Sequence, residues 1–126
     1  MSLVSEVMKQ HSEFCNSETR VPDLKYILKK YDYDELVIED STRHPIGIVN
    51  KESVSDDALK NTPHAFDVRA GKLMTSISVT VRKDATTEEC LKLMDANHVT
   101  VLPVVDEEGH CLGVVKKIDL ISKLRH

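Results

Sequence analysis

A chain of 126 residues can bury one good core, or two small halves that share one. With 40% apolar and 30% charged residues, and no run approaching the ~20 apolar residues of a membrane span, it reads as a globular protein without a transmembrane helix. A net charge of -4, no Trp and two Phe argue against a nucleic-acid partner, which needs a basic face and stacking rings.

The opening MSLVSEVMKQ has no apolar signal core, so the chain is expected in the cytoplasm. Val4, Val7 and Met8 predict a helical turn, and His11 to Ser17 a short strand. Pro22 suits the first turn of a helix over Thr19 to Tyr31, whose apolar stripe is Leu24, Ile27, Leu28 and Tyr31. Leu36-Val37-Ile38 and Ile46 to Val49 read as strands joined by a turn at Asp40 to Arg43, and a helix follows over Lys51 to Leu59. Asn61 to Gly71 lacks periodicity and is the candidate linker.

Beyond the linker the pattern restarts. Leu73-Met74 is a helical turn and Ile77 to Val81 a strand. Thr86 and Glu89 form a capping box for a helix that runs to about Asn97. Val99 to Val105 and Cys111 to Val115 read as a strand pair around the turn Asp106 to Gly109. Pro103 places the first of these at an edge or beside a bulge, or leaves it donating nothing at that residue. Ile118, Leu120, Ile121 and Leu124 then fall at helical spacing. Cys15, Cys90 and Cys111 lack metal-type spacing and sit in or beside apolar runs, so they are expected as reduced core residues.

The restart is a repeat. An offset of 66 residues carries Gly47 onto Gly113, and also Met8 onto Met74, Ser12 onto Ser78, Asp40 onto Asp106, His44 onto His110 and Lys51 onto Lys117. Two copies of one β-α-β-β-α unit, residues 1–62 and 63–126, are therefore expected. Each buries its sheet poorly alone, which favours an α/β (α+β) fold in which the two pack about a pseudo-twofold axis with one cleft per copy.

The second copy resembles the cystathionine β-synthase (CBS) domain through Leu73-Met74-Thr75, the helix Thr87 to Asn97, Leu102-Pro103-Val104-Val105-Asp106 and Gly113-Val114-Val115-Lys116-Lys117-Ile118-Asp119. The whole chain is similar to a tandem CBS pair, or Bateman module. The resemblance implies a regulatory module rather than an enzyme. Its cleft would bind an adenosine-containing ligand such as AMP, ADP, ATP or S-adenosylmethionine, with no cofactor and no metal, and the chain would pair as a homodimer. Asp119 would then hold the ribose hydroxyls, while Lys116, in place of the family's Ser or Thr, would reach a phosphate from a helix start. Ser78, Val79 and Val114 would line the adenine pocket. Val101 stands where nucleotide-binding relatives carry a basic residue.

In the first copy Asn50 and Ser53 replace the hydroxyl and the ribose acid, and Glu13 and Glu35 occupy the positions of Val79 and Val101. Two carboxylates in one cleft would repel a phosphate, so this site is expected not to bind a nucleotide. The residues also allow two other readings of the chain. One is a ligand-free dimerisation or docking scaffold, and the other a cation sensor using Glu13 and Glu35 with His11. Each allows the chain to be part of a larger protein. No Gly-rich phosphate loop or nucleophile with its base appears, which disfavours catalysis.

Overall fold

A computed structural model describes residues 2–11 and 13–124. Ser12, matched with Ser78 in the repeat, lies outside the described residues. The fold is mixed α/β and holds two four-stranded sheets with helices. The first sheet has the order β1-β8-β7-β6, from Lys9–Gln10, Cys111–Lys116, Val101–Val105 and Val81–Arg82. The second has the order β2-β3-β4-β5, from Cys15–Asn16, Glu35–Glu39, Pro45–Asn50 and Thr75–Ser76.

Each predicted first strand is split. His11 to Ser17 contributes only β2, preceded by β1 at Lys9–Gln10. Ile77 to Val81 contributes the start of β6, preceded by β5 at Thr75–Ser76. The two halves of each join different sheets, so the units of packing differ from the units of sequence. A terminal unit combines Met1–Ser12 with Ser78–His126, and a central unit is Glu13–Ile77.

The exchange is reciprocal and keeps the 66-residue offset bond for bond. Val4 N–H donates to the Ala85 carbonyl at 2.9 Å, and Ala70 N–H to the Thr19 carbonyl at 2.8 Å. Thr87 N–H donates to Ser2 and Val21 N–H to Val68, both at 3.0 Å. β1 lies antiparallel on Gly113 and Val114 of β8, as β5 lies on Gly47 and Ile48 of β4.

Each unit has a core on one face of its sheet. In the terminal unit Val4, Cys90, Met94, Leu102, Val104, Val115 and Leu120 pack together, and in the central unit Leu24, Leu28, Leu36, Ile38, Val49 and Val54 do so. The helices supply the apolar stripes: α1 (Val21–Lys30) with Pro in its first turn, and α4 (Thr87–Asn97) with its capping box formed from Thr86 and Glu89. The three cysteines are buried and form no disulfide, and burial pushes the Cys15 and Cys90 thiols up to about 11. Pro103 lies in an inner strand, but β6 reaches only Val104 and Val105, and the register with β8 shifts between those two residues.

The helix expected over Lys51 to Leu59 is divided. A 3-10 turn, Lys51–Val54, precedes the short α2, Asp56–Leu59, because the Ser55 hydroxyl accepts from Ala58 N–H and donates to the Glu52 carbonyl. A side chain satisfying backbone groups at this point favours a fresh helix start over continuation. The linker holds a 3-10 turn at Ala65–Asp67 and a short α3, Ala70–Leu73. At the end of the chain α5, Lys117–Leu124, is a continuous helix.

Candidate functional site

Of the six candidate ligand residues, those on β7 and β8 share a surface. Val101 stands opposite Lys116, and Val114 stands opposite Pro103 and, on its other side, Lys9. Side chains alternate along a strand, so Val101, Val114 and Lys116 occupy the sheet face opposite the core residues Leu102 and Val115. Val114 is 1% exposed, whereas Val101 and Lys116 are half-buried.

Val101 and Lys116 line a hollow of about 370 Å³ together with Thr100, Lys117, Ile118 and Ile121. Lys117 N–H donates to the Thr100 carbonyl at 2.8 Å, which fixes the start of α5 against the end of the preceding loop. The Lys117 ammonium is held by Asp95 at 2.7 Å. Asp119 lies exposed in the first turn of α5. Ser78 is exposed and Val79 packs against the terminal unit's core, both in the segment leading into β6. The hollow thus gathers Val101 and Lys116, while Ser78, Val79, Val114 and Asp119 lie outside its lining.

Two further residues stand on the same face: Lys9, and His11, which the sequence offers only as a cation ligand beside Glu13 and Glu35. Lys9 is placed there by its pairing with Val114, and His11, two residues on, follows it by strand alternation. His11 N–H donates to the Leu112 carbonyl at 3.1 Å, and the residue is 6% exposed. Burial, with Lys9 and Lys116 nearby, lowers the His11 pKa from 6.5 to about 4. The imidazole is therefore neutral near pH 7. Nothing local in the sequence points to this grouping, because it depends on β1 pairing with a strand at the other end of the chain.

The first copy builds the equivalent register from Glu35 opposite Asn50, and Glu35 is buried. Glu13 accepts a hydrogen bond from the Tyr31 hydroxyl at 3.1 Å, which raises the Tyr31 pKa. It lines a groove of about 390 Å³ with Cys15, Asp23, Tyr26, Lys30 and Tyr31, and Glu35 is not part of that lining. Among the described residues no three His, Cys, Asp or Glu side chains cluster as a metal-ligand set. Among them, also, no helix is long and apolar enough to cross a membrane.

The sequence pattern of the CBS domain matches residues 4–58 and 70–126. An uncharacterized protein of Methanopyrus kandleri is 27% identical over 84% of this chain and 54% of its own length. The chain spans about half or less of the curated relatives it matches first. A CBS domain pair solved with 5′-methylthioadenosine and S-adenosyl-L-methionine superimposes with a TM-score of 0.76 at 22% identity, covering 99% of this chain and 96% of that one. CBSX2, a CBS-pair protein of Arabidopsis thaliana, was solved with AMP; it gives a TM-score of 0.71 at 20% identity, over 99% of this chain and 97% of that one. At these identities the likeness is one of fold.

Proposed function

The chain belongs to the CBS domain family, and on that premise we propose that it is a regulatory module whose second repeat binds one adenosine-containing ligand. AMP, ADP, ATP and S-adenosylmethionine are the candidates. The observation that carries this reading is the shared sheet face of Val101, Val114 and Lys116, with Asp119 following in the first turn of α5. CBS pairs of the same fold solved with AMP and with S-adenosyl-L-methionine support the ligand class. In this reading Asp119 accepts hydrogen bonds from the ribose hydroxyls and Lys116 faces a phosphate or carboxylate. Ser78, Val79 and Val114 bound the adenine, and Val101 flanks the charged end.

The first repeat offers Ser53 where the ribose acid would be, and Glu35 where Val101 stands, so one ligand per chain is expected. The module works as a homodimer in the cytoplasm, has no catalytic residue of its own and takes no cofactor. Regulation would come from the ligand favouring one of two arrangements, by no more than its difference in affinity for them.

The test is thermal unfolding with AMP, ADP, ATP and S-adenosylmethionine, for the natural chain and for Asp119→Ala. A ligand at about 100 times its Kd adds roughly 2.7 kcal/mol, a rise of several degrees in Tm for a chain of this size. A rise for one ligand, lost in Asp119→Ala, is expected. No rise for any of the four would leave the ligand-free scaffold as the better reading.

A further inference from the structure

All three tyrosines of the chain, Tyr26, Tyr31 and Tyr33, fall on α1 or just after it. Two of them line the groove of about 390 Å³ that also holds Glu13, Asp23 and Lys30. Tyr31 is fixed twice. Its hydroxyl donates to Glu13 at 3.1 Å, and its ring stacks on that of the buried Tyr33, with centroids 5.4 Å apart and planes at 21°. Tyr26 is 62% exposed. The Lys30 ammonium stands over both groove rings, 5.6 Å from the centroid of Tyr26 and 5.4 Å from that of Tyr31, close enough to be drawn to their negative faces. The matching positions of the second repeat are Val79, Glu89, Lys92, Ala96 and Asn97. The same helix therefore packs on its sheet there with neither ring, so the fold itself does not call for this grouping.

We propose that the groove is a binding site for a primary alkylammonium group and that Lys30 is its built-in competitor. An incoming amine takes the place of the Lys30 ammonium over Tyr26 and Tyr31, its alkyl stem lying along the rings. Two carboxylates set the sign of the guest. Glu13 accepts from Tyr31 with one oxygen, and a carboxylate has about four acceptor sites, so it keeps capacity for an ammonium. Asp23 adds a second negative charge to the same lining. Lys30 is exposed, so its side chain swings into water without disturbing a core. The groove lies wholly in the central unit, and this inference does not depend on the adenosine ligand.

Contacts between a cation and an exposed ring are weak, so binding is expected with a Kd in the millimolar range. The apparent affinity is reduced by the fraction of time that Lys30 covers the rings, and removing it should tighten binding roughly three- to sixfold.

The test is a titration with butylamine at pH 7 to about 100 mM, well above that Kd, read from the proton NMR signals of the tyrosine rings. Butanol and sodium chloride serve as the neutral and ionic controls. Saturable shifts with butylamine alone are expected. Lys30→Gln should bind it several-fold more tightly, and Tyr26→Leu and Glu13→Gln more weakly. Lys29→Gln removes the same charge from a residue outside the groove lining and should bind like the natural chain. Circular dichroism checks that each variant is folded, and the exposed Tyr26 provides a ring whose loss leaves the core intact. A lysine capped at both ends, tested in the same way, separates the two sources of the group. Binding equal to that of butylamine marks a site for a lysine side chain of another protein, and binding of butylamine alone marks a site for free amines; each supports the proposal. Absence of saturable shifts in both the natural chain and Lys30→Gln would overturn it, as would equal shifts with butanol. Equal tightening by Lys29→Gln and Lys30→Gln would overturn the competition.

Discussion

Lowering the pH should unload stability through His11. In an unfolded chain its imidazole has a pKa near 6.5, whereas in the fold burial, Lys9 and Lys116 hold it at about 4. The unfolded state therefore binds a proton as pH falls below about 6.5, and the folded state does not until about 4, so stability falls across that window and levels off below it. At about 1.36 kcal/mol per tenfold change in proton affinity, the full window amounts to about 3 kcal/mol, or roughly 10 °C in Tm. The window is separate from that of the turn carboxylates. Hydrogen bonds from Thr42 and His44 lower the Asp40 pKa, and backbone N–H groups of His110 and Glu108 lower that of Asp106. Both groups start from 3.8, so their contribution is lost only at more acidic pH. Urea unfolding at pH 7 and at pH 4.5 should show the loss, and His11→Gln should remove most of the pH dependence even if its stability at pH 7 is lower. Equal slopes of stability against pH in the two proteins would refute the assignment.

Gly113→Ala should cost about 2 kcal/mol or more, because a Cβ there would lie 2.2 Å from the Lys9 carbonyl oxygen and 3.0 Å from Gln10 Cα, both backbone atoms. Gly47→Ala, at the matching position, should cost less, because its closest contact is the Met74 sulfur at 2.5 Å, in a side chain that can turn away. Equal falls in Tm for the two variants would contradict this. Thr86→Ala removes the hydroxyl that caps α4 and should destabilise by about 1 kcal/mol in chemical unfolding. Removing residues 1–11 takes away β1 and the buried Val4. Hydrogen exchange should then report lost protection in β8 and α4 while β3 and β4 stay protected. Unchanged protection in β8 would count against the terminal unit as drawn.

Periodicity and the 66-residue offset made the helices, the two strand pairs and the capping box legible, because all of these are set by neighbours within a few residues. Leu24 and Leu28 face the core as their spacing requires, and Thr86 and Glu89 meet as their separation allows. The splitting of the first strand of each repeat was not legible. The alternation in His11 to Ser17 is the same for a continuous strand as for one that breaks and sends its two ends to different sheets, and only pairing with distant strands decides between them. The same holds for the candidate site. Val101 and Lys116 could be read from the family pattern. Lys9 and His11 reach the same face only because residues near the start of the chain pair with β8, and Val114 shows its burial only in the folded sheet. The helix after β4 was overestimated because the effect of Ser55 depends on its hydroxyl finding both Ala58 and Glu52.

The reciprocal exchange of opening segments also orders events in time. The central unit is contiguous, so everything it needs is present once residue 77 has left the ribosome. β1 must wait, because its partners Gly113 and Val114 are made about 100 residues later, and closing so long a loop carries its entropic cost only then. During that interval the first residues, Val4 among them, are a strand and an anchor without a sheet. Neither repeat can be cut away at the linker without taking part of the other's sheet with it.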